Sequence, residues 1–195
     1  MRKLTIDDLL SIEEYSRQRT AFRKIAMEHK KNRRLQIGPN LMMHFEDFTL
    51  MRYQILELTR AEKITGQDDL LEELSAYNPL IPDGNNLKVT LMLEFPDERE
   101  RRIKLGELLD IENQISIQVA NMDPVFPICN EDLERSTADK TSAVHFMRFE
   151  FTEEMIGAAK DGAKWTVKCS HKNYEHAVSP IPENIRSSLA SDFSQ

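Results

Sequence analysis

Apolar residues recur at helical spacing from Ile12 through Tyr15, Phe22, Ile25 and Ala26, with charged side chains between them. This pattern predicts a helix lying on the surface of a core. It is expected to open near Thr5, whose hydroxyl can cap a first turn carrying Asp7 and Asp8, and to end in the basic run 29–34. Leu35 and Ile37 then alternate with polar residues, and Gly38-Pro39-Asn40 is a turn signal, which predicts a hairpin with 41–46. Residues 48–64 are apolar nearly all round, with Met51, Ile55 and Leu58 on one stripe and Leu50, Tyr53 and Ile64 on another, so a mostly buried helix is expected. Glu62 extends the first stripe and is expected to be a buried carboxylate with an Arg or Lys partner. A short helix presents Leu70, Leu71, Leu74 and Tyr77, and two prolines with Asp83-Gly84 break regular structure over 78–84.

Strict alternation marks the clearest strand, Leu87 to Phe95. Asp97 is placed to cap a charged helix running to about residue 109. Strands are expected at 115–119, 125–128, 142–151 and 165–169, with Asn130 capping the turn of Glu131, Asp132 and Leu133. Thr152 opens a further helix, and a last one begins at Pro182 and ends near Phe193. Strands and helices intermix without the βαβ repeat of a parallel sheet. The expectation is one α+β domain over 1–195, a mostly antiparallel sheet with helices packed on it and no Rossmann-type repeat.

Composition sharpens the functional picture mainly by exclusion. A chain of 195 residues needs neither metal nor disulfide to sustain a core. Its net charge of −7 opposes non-specific attraction to nucleic acid or an anionic membrane. The start turns acidic within a few residues, and no stretch is apolar enough to cross a bilayer, so a cytoplasmic protein is expected, with Cys129 and Cys169 as reduced thiols. On general grounds a homodimer is the default assembly. The six glycines are too dispersed for G-x-G-x-x-G, a Walker loop or G-x-S-x-G. E-x-x-H, H-E-x-x-H and C-x-x-C are absent as well, so no catalytic residue, metal site or cofactor is assigned.

Several segments still bear on chemistry. The stretch 131–142 is dense in hydroxyls and charges and feeds into the strand carrying His145. Arg135 and Lys140 could grip an anion while Ser136, Thr137 and Thr141 hydrogen-bond it; alternatively the segment is a turn whose polar groups satisfy one another. With Asp83 from the 78–84 loop, these residues and His145 form the candidate ligand site of an enzyme or sensor, provided the two segments converge. His145 shares a strand face with Met147, Phe149 and Phe151, as either a base set in an apolar wall or a hydrogen-bonded core histidine. Cys169, His171 and His176 offer metal-ligand chemistry; against that, alternation points Cys169 inward and leaves the histidines beyond the strand. The basic run could bind phosphate or a nucleic-acid backbone, or simply be a solvated helix end that complements the helix dipole.

Three strings in order, HKKNRR (29–34), AYNPLIPDG (76–84) and EDLERSTADKTSAVHFMRFE (131–150), resemble a bacterial family of similar length classed as a domain of unknown function. The resemblance spans nearly the whole chain and transfers no catalytic roles. Genes of that family tend to lie beside those of rubrerythrin-like proteins and iron–sulfur oxidoreductases. It therefore implies a non-catalytic accessory or interaction protein of a peroxide-handling or electron-transfer system, docking with such iron-bearing partners.

Overall fold

In the computed structural model, residues 2–133, 135–137 and 139–194 are described; Glu134 and Ala138 of the hydroxyl-rich segment lie outside them. Thr5 precedes only a 3-10 turn, Ile6–Asp8, and the first long helix, α1 (Ile12–Lys31), starts seven residues later than the cap expected at Thr5. Ser11 is its true cap, its hydroxyl accepting from the Glu14 amide, because Leu9 is extended and interrupts the helical path. Only Tyr15 and Ala26 of α1 are buried, and Ile25 is 63% exposed, since the helix docks along a narrow stripe. That stripe meets α2 (Phe48–Glu62): the Tyr15 hydroxyl and the Arg19 guanidinium both donate to Glu57. Glu62 ends α2 in solvent, contrary to the buried site expected for it, because Lys63 turns left-handed there and the chain leaves the core.

Between the first two helices lies the hairpin β1 (Arg34–Ile37) and β2 (Leu41–Glu46), turned at Gly38. Gly38 has φ +63°, and a Cβ there would lie 2.5 Å from the His176 ring, so both conformation and space demand glycine. After α2 come α3 (Gln67–Tyr77), β3 (Asn86–Leu93), α4 (Glu98–Glu107) and β4 (Ile115–Val119). The remaining elements are β5 (Ile128–Cys129), β6 (Val144–Glu150), α5 (Glu153–Lys160), β7 (Trp165–His171), β8 (Tyr174–Val178) and α6 (Glu183–Ala190).

The strands form two antiparallel sheets, β1-β2-β3-β6-β5 and β4-β7-β8. The fold is thus α+β, as its sequence pattern predicts, with the strands divided between two layers. Alternation explains the division: Met43, Phe45, Val89, Leu91, Met147 and Phe149 face inward from the first sheet, and Ile117, Trp165, Val167 and Cys169 face them from the second. Phe193, beyond α6, closes one end of this core by packing its ring on Phe151 and Trp165. A second apolar cluster joins Leu4 to α2, α3 and Ile81. No helix among the described residues is long and apolar enough to cross a membrane.

The basic run is not a uniformly solvated helix end. Arg33 is 1% exposed and donates to the Phe45, Glu46 and Ser188 carbonyls and to both carboxylate oxygens of Asp192. His29 lies 2.5 Å from Asp47, which caps α2.

Candidate functional site

Three of the candidate residues, Ser136, Thr141 and His145, gather around a carboxylate that pattern reading passes over, Glu112. It is buried at the foot of β4, where the Ser136 hydroxyl donates to its Oε1 at 2.9 Å and the Thr141 hydroxyl to its Oε2 at 3.4 Å. His145 lies beside them, fully buried on the inward face of β6. The Ser142 carbonyl can only accept, so the His145 proton sits on Nε2, 3.0 Å away, and the Thr141 hydroxyl oxygen shares it at 2.9 Å. Nδ1 then accepts from the Asn130 amide at 3.1 Å. Burial pushes the His145 pKa down, against the pull of Glu112, which keeps the ring neutral. With both ring nitrogens committed, this histidine holds structure and has no lone pair free for a substrate proton.

Asn130 therefore caps no turn. It has positive φ, and its side chain reaches back to His145 and the Phe146 amide. Arg135 lies at the sheet edge, paired with Asp132 and with its guanidinium 4.5 Å above the Phe146 ring. Arg135 and Ser136 line a cavity of about 490 Å³ together with Cys129, Asn130, Asp110 and Glu112. Burial, aided by Glu112 and Asp110, pushes the Cys129 thiol up to about 12, so it is no nucleophile at neutral pH. Thr137 and Lys140 are exposed and bond each other's backbone and hydroxyl in a closed turn.

Asp83 stands apart from this cluster, bonded to Lys3, Lys88 and Asn86. A polar chain nevertheless runs from it across the sheet, from Asn86 to Glu150, then Arg148, then Glu131. The proposed metal trio is spread out. His171 is the last residue of β7, and His176 lies within β8 instead of beyond the sheet, because Asn173 turns the chain back into a hairpin. His171 uses Nε2 on the Leu109 carbonyl and Nδ1 on the Asn173 amide, while His176 packs on the Tyr174 ring. Among the described residues, no group of three or more His, Cys, Asp or Glu is arranged to hold a metal.

The larger opening is a groove of about 860 Å³ on the outer face of the five-stranded sheet, walled by Ser75, Ala76 and Tyr77 of α3. Pro79 and Leu80 of the 78–84 loop and Glu131 and Asp132 of the 131–142 segment both line it, so the two segments do share one cavity, though not through Asp83 and Arg135. Its floor is built by strand register: His44, Thr90 and Phe146 oppose one another across β2, β3 and β6, flanked by Met92. Lys30, His44 and Glu46 gather at the β2 end. The His44 Nδ1 is buried without a hydrogen-bond partner among the described residues, and burial plus the charges of Lys30 and Arg34 push its pKa down to about 4. Burial pushes the Glu46 carboxyl up, and its partner there is the Thr90 hydroxyl at 2.7 Å. Nothing in the linear pattern announces this site, because its walls come from seven separate elements.

No curated protein matches the chain. A crystal structure of a novel protein of unknown function from Burkholderia pseudomallei K96243 is similar to it at 43% identity and TM-score 0.93, covering 99% of this chain and all of that one. The family model described as protein of unknown function (DUF3501) matches residues 3–193. The chain belongs to the DUF3501 family.

Proposed function

We propose that this protein acts by binding and not by catalysis, as an accessory component that takes a small molecule in the groove between α3 and the outer face of the five-stranded sheet. The observation that carries this reading is the groove's construction. It has a volume of about 860 Å³, a floor whose apolar surface comes from Met92 and Phe146, and a buried polar atom at one end, His44 Nδ1, that no group among the described residues satisfies. The Glu112–His145 cluster supports the same reading, since its groups are one another's partners. Native mass spectrometry of the protein purified from its own host, beside a Ser75→Trp variant that fills the groove mouth, tests it. A non-covalent adduct on the natural chain that the variant lacks is expected. A bare polypeptide, or an adduct common to both, overturns the reading.

A second reading concerns partners. The family resemblance implies service to an iron-bearing redox protein, and a surface suited to docking lies at the open edge of the sheet. Phe126, Ile128 and Leu133 are each about half exposed around the two-residue strand β5. Pull-down from the host is expected to recover a rubrerythrin-like or iron–sulfur protein with the natural chain and to lose it with Leu133→Ser. An iron-free eluate contradicts this role.

A further inference from the structure

The groove is electrically asymmetric, and the asymmetry specifies a ligand. At the β5 end both acids are already neutralised, Glu131 by Arg148 and Asp132 by Arg135. In the middle, Lys88 is paired with Asp83 at 3.4 Å. At the β2 end the half-buried Lys30 forms no ion pair with any carboxylate among the described residues, and Arg34 on β1 lies opposite His44 in the strand register. After burial, the charges of Lys30 and Arg34 are what lower the His44 pKa, so both cations lie near its ring. Glu46 lines the same end and feels the Lys30 charge, but it forms no ion pair with Lys30 and its carboxylate accepts from the Thr90 hydroxyl at 2.7 Å. The cationic pole thus comes from the basic run at the end of α1.

From β2 through β3 and β6 to β5, three interstrand steps make the floor about 14 Å long. Thr90, Met92, Phe146 and Ile128 lie along it, with Pro79 and Leu80 from the loop above. The β2 end therefore offers the Lys30 ammonium beside the His44 imidazole, and between it and the paired charges of the β5 end Met92, Phe146, Ile128, Pro79 and Leu80 offer apolar surface.

Resting on the groove reading above, we infer that the ligand is an amphipathic carboxylate, its head group held by Lys30 and His44 and its apolar body laid across the sheet toward Ile128. The charge-assisted contact to Lys30 gives the head group its preference over an alcohol or an amine, and the apolar floor gives most of the affinity.

Calorimetric titration with decanoate, decanol and decyltrimethylammonium, on the natural chain and on Lys30→Gln and Ser75→Trp variants, tests this. Decanoate is expected to bind at one site, roughly tenfold or more tighter than the other two, and to lose about that factor in Lys30→Gln. Ser75→Trp is expected to abolish binding. Lys30 is half exposed, so its replacement leaves the fold intact, which the melting temperature of the unliganded variant verifies. Equal affinity for decanol and decanoate, or an unchanged Lys30→Gln, overturns the carboxylate assignment. No binding of any probe to a chain that still carries a Ser75→Trp-sensitive host adduct overturns the assignment and leaves the groove reading standing. No probe binding and no adduct overturns both.

Discussion

Arg33 and Asp192 lie 159 positions apart in the chain and meet in the interior, two nitrogens of one on two oxygens of the other. The guanidinium cannot lose its charge, so Asp192→Asn leaves it buried without its bidentate partner, with only the Asp47 carboxylate 3.6 Å from its Nε as counter-charge. With Asp47 still near, the loss costs about 2–3 kcal/mol, and urea unfolding of the variant is expected to show it; a change within about 0.5 kcal/mol places the pair in solvent instead. This pair was not legible beforehand, because Arg33 reads as one cation among several in a helix-terminal run. His145 was legible as an inward-facing strand residue, since its alternation with Met147 and Phe149 sets its face. The choice between base and core histidine was not, because it depends on Asn130, Thr141 and Ser142 reaching it from separate turns.

At the scale of elements, α1 is tied to α2 by a few polar contacts instead of a broad apolar face. Arg19 first, then the Tyr15 hydroxyl, hold the Glu57 carboxyl down at about 2, below its ordinary 4.5. A carboxylate depressed on folding stabilises the native state above its unfolded pKa, and that contribution disappears as pH falls through the folded one. Glu57→Gln is therefore expected to lower stability at pH 7 by about 1 kcal/mol, after allowance for solvent screening. Its stability curve should also be flatter than that of the natural chain between pH 4.5 and about 2. Parallel acid curves contradict the contact. Most elements could be read from periodicity, including β3, α2 and the hairpin at Gly38. The start of α1 could not, because Thr5 with Asp8 and Ser11 with Glu14 are equally good local caps, and only the extended Leu9 decides between them. The strand β8 was hidden because its alternation is shallow: it is an edge strand with only Tyr174 well buried.

At the scale of the whole molecule, two antiparallel layers enclose the main core and leave the outer face of the larger sheet free to build the groove. Mixed α+β composition was legible; the split into two sheets was not, since strand period shows which residues face inward but not which strands pair. The groove was legible only in fragments, as a basic run, a proline loop and a polar segment that the fold brings to one cavity. A bound ligand stabilises the native chain by mass action, by about 2.7 kcal/mol at a hundredfold excess over Kd. The most direct test is the melting temperature of host-purified protein before and after its small molecules are stripped by unfolding in guanidinium and refolding. Stripping is expected to lower it by about 5 °C or more, with no change in Ser75→Trp. An identical melting temperature before and after stripping of the natural chain contradicts a ligand in the groove.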